Sequence, residues 1–351
     1  MSTLLEFLDT LWISILGLIS LSTFALIFAA FKIKALKNLS TSYDAIQKTH
    51  EGSTPRLGGL CVWFVGICAS LIFEQTQLLV VLISFIPILV VITWEDLFQN
   101  VHVFMRFSVL ILTPLFIWFG PIPLQLPVID LPIIGEWLNN PILAYPFYTL
   151  CLALLMNGMN FIDGMNGILA AFSWSILGCC LVLSYSVGEY GMATDLLFIA
   201  IPLLLFSLVN YPGGFLFMGD AGAYLMGFVL GWWLIRFFGV YTEISSWSAL
   251  LILSYPVTEV IYSTLRKLSK GASPFLPDIE HLHIKFYHIF LKSTGRVKTS
   301  NNLVVIALAF FWLAPLMLLP LVMHNTNLIL LSFSLIVALY ITLNLALKSV
   351  D

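Results

Sequence analysis

Charged side chains are scarce in this 351-residue chain: Asp, Glu, Lys and Arg make up 9% of it, and 60% of the residues are hydrophobic. Soluble globular domains carry about 25% charged residues, so this composition excludes an ordinary soluble domain and predicts a polytopic membrane protein. Basic clusters interleaved with aromatic residues are also missing, which argues against nucleic-acid binding. The five cysteines lie in apolar runs without metal-ligand spacing and are expected to pack as small hydrophobic residues.

Long apolar runs make up most of the chain. Runs of about 17 to 25 such residues predict transmembrane helices. With eleven of them, we expect one all-α transmembrane domain, residues 1–351, built as a membrane-embedded helical bundle. The predicted helices cover residues 8–31, 57–73, 77–94, 106–119, 143–161, 165–187, 194–211, 217–238, 246–265, 302–322 and 326–347.

Basic residues are almost absent from one side of this bundle. An alternating arrangement of eleven helices places fourteen of the 15 Lys and Arg residues on one face and leaves only Arg236 on the other. Because basic residues near helix ends are retained in the cytoplasm, we expect the N-terminus outside and the C-terminus in the cytoplasm. The first ten residues hold Glu6 and Asp9 but no basic residue, which argues against a cleaved signal peptide.

The inner face is therefore basic, and it should attract the anionic headgroups of the lipid bilayer or phosphorylated substrates. The loops expected there contain the chain's unusual polar segments. They lie near residues 32–57, 94–106, 157–167, 211–222 and 266–301.

One polar segment, residues 157–168, interrupts two apolar runs with an Asp, three Asn and three Gly. If the preceding helix continues into it, Asn157, Asn160 and Asp163 recur at spacings of three and share one broad face. They could then point at one ligand, with Asn166 following closely. The alternative is a tight loop between two membrane helices, where such residues are ordinary.

Other carboxylates fall on the same predicted face. Glu95 and Asp96 are adjacent at the mouth of a very apolar helix, and neighbouring carboxylates repel unless a cation or a proton lies between them. A divalent metal, a shared proton or simple exposure would each satisfy that pair. Asp220 stands alone between Gly219 and Ala221. It could be a helix N-cap, but we favour a metal ligand.

Basic side chains accompany these acids. Lys48 and Arg56 lie in the first inner loop, where a Pro and two Gly flank Arg56. They could meet an anion or serve only as positively charged anchors. In the last inner loop, His281, His283 and Lys285 suit phosphate oxygens better than zinc, because no second Cys or His pair lies nearby. A solvated basic loop is the alternative.

A carboxylate cluster beside phosphate-seeking basic groups indicates metal-assisted phosphoryl transfer, because a metal ion neutralises the oxygens while basic groups stabilise developing charge. Oxygen ligands favour Mg²⁺, or Mn²⁺, over zinc. A site at the inner boundary of the bilayer suits a reaction that joins a water-soluble phosphate compound to a lipid. A membrane transporter and a catalytically inactive membrane scaffold are the rival interpretations.

Five motifs recur in one order: residues 54–59 (TPRLGG), Glu95-Asp96, residues 157–167, residues 219–222 (GDAG) and residues 273–283. Through them the chain resembles the polyprenyl-phosphate N-acetylhexosamine-1-phosphate transferase superfamily. The resemblance implies an Mg²⁺-dependent enzyme of the bacterial inner membrane that transfers a sugar-1-phosphate from a UDP-N-acetylhexosamine to undecaprenyl phosphate and releases UMP. This reaction starts a surface glycan. The sequence leaves a homodimer open.

The resemblance also implies roles for individual residues. Asp220 would bind the metal, and Asp96 and Asp163, with Glu95, would be the acids most closely tied to catalysis. The loop at His281 and His283 would contact phosphates.

Four departures from the commonest family pattern indicate a branch that makes lipopolysaccharide O-antigen or other surface-glycan lipids. Glu95 replaces an Asp, Gln99 a frequent Lys, Asn166 a frequent Asp, and the histidine motif carries Lys285.

Overall fold

The computed structural model describes residues 17, 19–21, 23, 54–98, 101–120, 124–130, 134–273 and 279–347. In this part of the chain the only regular secondary structure is helical, which confirms the all-α prediction. Fifteen helices follow one another: α1 Gly58–Ile72, α2 Thr76–Ser84, α3 Ile86–Phe98, α4 Val103–Trp118, α5 Ile134–Leu138, α6 Pro141–Ile162, α7 Ile168–Ser186, α8 Tyr190–Asn210, α9 Gly219–Val240, α10 Ser248–Ile252, α11 Ser254–Ser269, α12 Leu282–Thr294, α13 Val297–Ala307, α14 Ala309–Val322 and α15 Thr326–Ala346.

Seven helical stretches of the described chain are long and apolar enough to cross a membrane, and α1 and α4 are shorter apolar helices. Two of the seven combine consecutive helices, α2 with α3 and α13 with α14. The first predicted helix, 8–31, lies almost entirely outside the described residues. A count of eleven and the orientation of the termini therefore stay predictions.

Three predicted helices, 77–94, 246–265 and 302–322, are each divided by one non-helical residue, at Phe85, Leu253 and Leu308. The break at Leu253 separates α10 from α11. Pro256 lies in the first turn of α11 and has no backbone N–H, so it cannot donate to the carbonyl of Ile252 four residues earlier. Proline is tolerated in a first turn, and the break puts Pro256 there.

Helix α9 is the centre of the bundle. In an apolar 18-residue stretch of α9, 83% of the residues are buried, whereas the value for α15 is 22%. Glycines allow close packing around it: a Cβ added at Gly227 would come within 2.8 Å of Met156 Cα in α6. On another side of α6, a Cβ at Gly158 would come within 2.7 Å of the Pro256 carbonyl oxygen of α11. Helix α6 thus lies directly between α9 and α11.

The end of the bundle opposite the polar loops contains Arg236, the one basic residue predicted on that side. Its guanidinium donates to Asp195 Oδ2 at 2.5 Å and lies 5.5 Å from the centre of the Trp232 ring. The side chain of Asp195 is 6% exposed. This ion pair neutralises a charge that would otherwise be costly within an apolar bundle.

Candidate functional site

Backbone pairing brings the motif at residues 54–59 next to the motif at residues 219–222. Phe217 N donates to Pro55 O at 2.8 Å, and Gly58 N donates back to Phe217 O at 2.9 Å. Gly219 has a φ of +75°, and a Cβ there would come within 2.6 Å of the Arg56 carbonyl oxygen. Only glycine accommodates both the left-handed backbone and this approach. The segment at Arg56 is therefore held against the start of α9.

The glycines beside this pairing set the crossing of α1 and α9. A Cβ added at Gly59 would come within 2.1 Å of Gly222 Cα, and one at Gly222 within 2.6 Å of Gly59 Cα. Gly59 lies in the first turn of α1 and Gly222 in the first turn of α9, so these two turns are in direct contact. Asp220, in the first turn of α9, is consequently fixed beside the loop that carries Arg56.

Arg106, from α4, joins two of the predicted acids. Its guanidinium donates to Glu95 Oε1 at 3.0 Å and to Asp220 Oδ2 at 3.2 Å. It also donates to the Tyr224 hydroxyl at 3.2 Å. The three charged side chains are each 24–32% exposed, so the cluster is partly open to solvent. A guanidinium between two carboxylates connects α3, α4 and α9, and it neutralises only one of the two negative charges when both acids are ionised.

Asp163 is the C-cap of α6 and is half-buried. Burial and, to a lesser extent, the neighbouring carboxylate of Asp220 raise its pKa to about 7, and the Arg56 guanidinium opposes that rise. Asp163, Asp220 and Arg56 thus interact electrostatically although they come from three separate motifs. A carboxylate whose negative charge is disfavoured in this way is a natural position for a cation.

The donor set fits a magnesium ion that completes its coordination with substrate. Mg²⁺ is usually bound through one or two carboxylates together with substrate phosphates and water. Asp163 and Asp220 provide such a pair, and Glu95 Oε2 is sealed from solvent with no hydrogen-bond partner in the described part of the chain. Among the described residues no group of three His, Cys, Asp or Glu side chains could hold a metal alone. The backbone of Asp96 lies in the last turn of α3, but its side chain is outside the described part.

The histidine motif lies against the Asp163 loop. The rings of His281 and His283 stack 5.5 Å apart at an interplanar angle of 7°. A Cβ added at Gly164 would come within 2.6 Å of His283 Nε2, so this ring packs directly on the residue after Asp163. Burial and the His281 ring lower the pKa of His283 to about 3, so His283 is neutral at pH 7 and can give at most one N–H to a ligand.

Asparagine side chains connect the loop before α7 to its neighbours. Asn210 accepts from Gly167 N at 2.6 Å and donates to Leu216 O at 2.8 Å. Asn166 is 3% exposed; its Nδ2 donates to Asn302 Oδ1 at 3.1 Å, and its backbone N–H to Asn301 Oδ1 at 2.8 Å. Asn166 therefore connects the loop before α7 to α13, and its role toward a substrate stays a prediction.

The remaining predicted residues lie in different settings. Lys285 is buried, and its Nζ contacts Asn344 O, Asn344 Oδ1 and Leu347 O within 3.3 Å, which matches its three N–H donors. The structure thus shows it binding the end of α15, and its contact with a phosphate stays a prediction. Asn157 donates to Ala153 O of its own helix, and Asn160 is half-buried on the following turn. Lys48 lies outside the described residues.

Sequence reasoning treated Arg106 only as an orientation signal and did not single out Glu259. Arg106 lies eleven residues after Glu95, and a charge pattern assigns a residue to a face without indicating its partner. Glu259 had a usable signal, because an ionisable residue inside a predicted membrane span is a functional candidate by default.

Comparison with known proteins agrees with this geometry. Residues 78–238, which carry Glu95, Arg106, Asp163 and Asp220, match the family model described as glycosyl transferase family 4. Over these residues the chain is similar to glycosyl transferase family 4.

Curated relatives align with most of the length of this chain. It is 24% identical over 272 residues to the probable undecaprenyl-phosphate N-acetylglucosaminyl 1-phosphate transferase of Bacillus subtilis (strain 168), covering 76% of this chain and 75% of the relative. The undecaprenyl-phosphate alpha-N-acetylglucosaminyl 1-phosphate transferase of Thermotoga maritima is 26% identical, over 75% of this chain and 77% of the relative. The protein of the same name from Escherichia coli (strain K12) is 27% identical, over 83% and 80%.

Proposed function

We propose that this membrane protein transfers a sugar-1-phosphate, of the N-acetylhexosamine type, from a UDP-sugar to undecaprenyl phosphate. The products are an undecaprenyl-diphosphate-sugar and UMP. The relatives named above support the reaction class and the lipid acceptor. We place the protein in the bacterial inner membrane and its reaction at the start of a surface glycan, with lipopolysaccharide O-antigen as the favoured product class.

The observation that carries the proposal is the cluster formed by Glu95, Arg106, Asp163 and Asp220, with Arg56 beside it. Five charged groups from separate helices and loops meet at one end of an apolar bundle. Such a concentration is expensive unless it serves a charged ligand. A diphosphate donor and a phosphate acceptor both need cationic partners and a counter-ion.

Basic side chains provide part of this environment. Arg56 and Arg106 each present a planar guanidinium, which suits phosphate oxygens because two N–H groups can bind in parallel. Arg106 is the closer of the two to Asp220 Oδ2, at 3.2 Å. A phosphate that approaches Asp220 would therefore meet the Arg106 guanidinium as well.

Asp163 and Asp220 are the residues that we expect to hold magnesium, with manganese as a substitute. When bound, the ion would neutralise phosphate oxygens and polarise the bond to the leaving group. The raised pKa of Asp163 fits this assignment, because the protein alone provides too little positive charge for two neighbouring carboxylates.

The acceptor needs little activation. A phosphate monoester has a second pKa near 6, so undecaprenyl phosphate is largely a dianion at pH 7. One of its oxygens attacks the sugar-bearing phosphorus of the UDP-sugar, and a new phosphorus–oxygen bond forms. The bond from that phosphorus to the bridging oxygen breaks, and the oxygen and its electron pair leave with UMP. Arg106 and Arg56 stabilise the charge on the transferring group.

A transfer assay tests the proposal. Purified protein in lipid nanodiscs is incubated with undecaprenyl phosphate, Mg²⁺ and UDP-N-acetylglucosamine or UDP-N-acetylgalactosamine radiolabelled in the sugar. We expect label in the lipid phase and UMP in the aqueous phase. Asp220→Ala should abolish both, whereas Asp130→Asn, at an exposed acid outside the site, should change neither. Lack of transfer with every UDP-sugar tried would refute the assignment.

A further inference from the structure

A buried carboxylate contacts the first histidine of the histidine motif. Glu259, on α11, places Oε1 2.8 Å from His281 Nδ1, and the two side chains are only 1% and 5% exposed. His281 is the N-cap of α12. A carboxylate buried to this extent is costly unless its contact serves a purpose.

The His281 ring contacts two other rings. It stacks on His283 at 5.5 Å, and it lies 5.3 Å from the ring of Phe161 in the last turn of α6. Phe161 precedes the C-cap Asp163 by two residues, and His283 packs on Gly164. The His281 ring therefore lies next to the end of α6, close to the loop that carries Asp163.

The two ring nitrogens of His281 have different surroundings. Nδ1 contacts Glu259, whereas Nε2 makes no hydrogen bond to any described residue. The other carboxylate oxygen of Glu259, Oε2, is sealed from solvent and has no hydrogen-bond partner within distance and angle limits among the described residues, although the hydroxyls of Tyr255 and Tyr340 lie beside the carboxylate. A carboxylate that accepts the N–H of one ring nitrogen fixes the tautomer and leaves the opposite nitrogen for a ligand.

We propose that Glu259 is a positioning residue that holds His281 with Nδ1 protonated and directs Nε2 at a phosphate of the substrate. When the ring carries both protons, the carboxylate balances its charge and Nε2–H donates to a phosphate oxygen. This inference rests on the proposed function, since it assumes a phosphate ligand. It assigns Glu259 no contact with the substrate.

A purely structural Glu259 would behave differently. Leucine fills a similar volume, but it removes one partner of a buried pair and leaves His281 Nδ1 without its acceptor, which destabilises the fold. The structural account therefore predicts that Glu259→Leu changes stability alone. The positioning account predicts a loss of transfer activity that occurs only when His281 is present.

The first measurement needs no catalytic activity. Nitrogen NMR of protein labelled in its six histidines, with His281→Gln used to assign the signal, reports which ring nitrogen carries the proton. We expect the Nδ1–H form of His281 in the wild type and in Glu259→Gln, which keeps an acceptor oxygen. Glu259→Leu should convert the ring to the Nε2–H form. The Nε2–H form in the wild type would overturn the proposal.

The second measurement is a double-mutant cycle in the transfer assay. We expect Glu259→Leu to lower kcat/KM about 10- to 100-fold, as loss of a group that orients a ligating histidine does. In a His281→Gln background the same change should cost nothing further, because the ring it positions is gone. Equal losses in both backgrounds would overturn the proposal.

The NMR result distinguishes failure of the proposed function from failure of the positioning role of Glu259. An inactive wild-type protein with the expected Nδ1–H signal would refute the proposed function and leave the Glu259–His281 orientation intact. An active protein with the wrong tautomer would refute only the positioning role. If Glu259→Leu does not fold, Glu259→Gln carries both tests: it should keep the tautomer and retain activity above Glu259→Asp, whose shorter side chain withdraws the acceptor.

Discussion

Replacing Asp163 by Asn tests the electrostatics on which the candidate site depends. Burial and the carboxylate of Asp220 raise the pKa of Asp163 from 3.8 to about 7. A folded-state pKa above the unfolded value contributes stability that is fully present below pH 3.8 and is lost as the pH rises through about 7. At about 1.4 kcal/mol per tenfold change in proton affinity, the ionised carboxylate lowers the free energy of unfolding by about 4 kcal/mol at pH 8.

Asparagine keeps the side-chain volume and removes the charge. The advantage of Asp163→Asn over the wild type should therefore grow from about 1.5 kcal/mol at pH 5 to about 4 kcal/mol at pH 8. With an unfolding entropy of about 2.1 cal/mol/K per residue, these differences raise Tm by about 2 °C and about 6 °C in a chain of this length. The assay is thermal unfolding of the detergent-solubilised proteins in the presence of a chelator.

Two comparisons make this prediction specific. Asp130→Asn, at an exposed acid of the loop before α5, should show no gain that grows with pH. Adding Mg²⁺ at pH 8 should raise Tm of the wild type and leave Asp163→Asn nearly unchanged, because the ion would stabilise the carboxylate that the variant lacks. If Asp163→Asn raised Tm by the same amount at both pH values, the assignment of a raised pKa to the Asp163 carboxylate would be refuted.

Three further substitutions test the packing and charge of the site. Arg106→Ala should lower kcat/KM about 100-fold or more, because it removes the guanidinium that faces both Glu95 and Asp220; transfer kinetics check this. Gly59→Ala should reduce the free energy of unfolding by about 3 kcal/mol, since the new Cβ would meet the backbone of α9 2.1 Å away; urea unfolding of the solubilised protein measures it. Asn210→Ala removes two buried hydrogen bonds and should lower that energy by about 2–4 kcal/mol in the same assay.

Each of these predictions has a contradicting result. Full activity in Arg106→Ala would show that the ion cluster is structural. An unchanged unfolding midpoint in Gly59→Ala would mean that α1 and α9 do not meet at backbone contact. For Asn210→Ala, loss of activity without loss of stability would shift its role from supporting the loop to binding substrate.

Most helix positions could be predicted from the sequence, because an apolar run long enough to span a bilayer has few alternatives to a helix. The run predicted at 143–161 became α6, Pro141–Ile162, and the one at 326–347 became α15, Thr326–Ala346. The prediction failed where hydrophobicity hides a break in the backbone, as at Leu253 before Pro256. The hydrophobicity of a predicted span is an average over about 20 residues, whereas the missing N–H of one proline affects the backbone at a single position.

The candidate site was predictable as a set of loops but not as a set of contacts. Motif order and the distribution of basic residues placed Arg56, Asp163 and Asp220 on one face, and the structure brings them into electrostatic contact. The partners of Arg106 and His281 depend on the crossing of distant helices, which no local pattern encodes. Lys285 shows the same limit: as a sequence motif it suits phosphate, but folding places it on the end of α15.

The central claim is that the phosphate adjoining the sugar moves with the sugar onto the lipid. UDP-N-acetylglucosamine carrying a radioactive β-phosphate tests it directly in nanodiscs that contain undecaprenyl phosphate and Mg²⁺. We predict that the radioactive phosphorus enters the lipid phase in the same amount as UMP appears, and that Asp220→Ala abolishes both. Radioactivity that stays in the aqueous phase as UDP while the sugar enters the lipid would contradict the account.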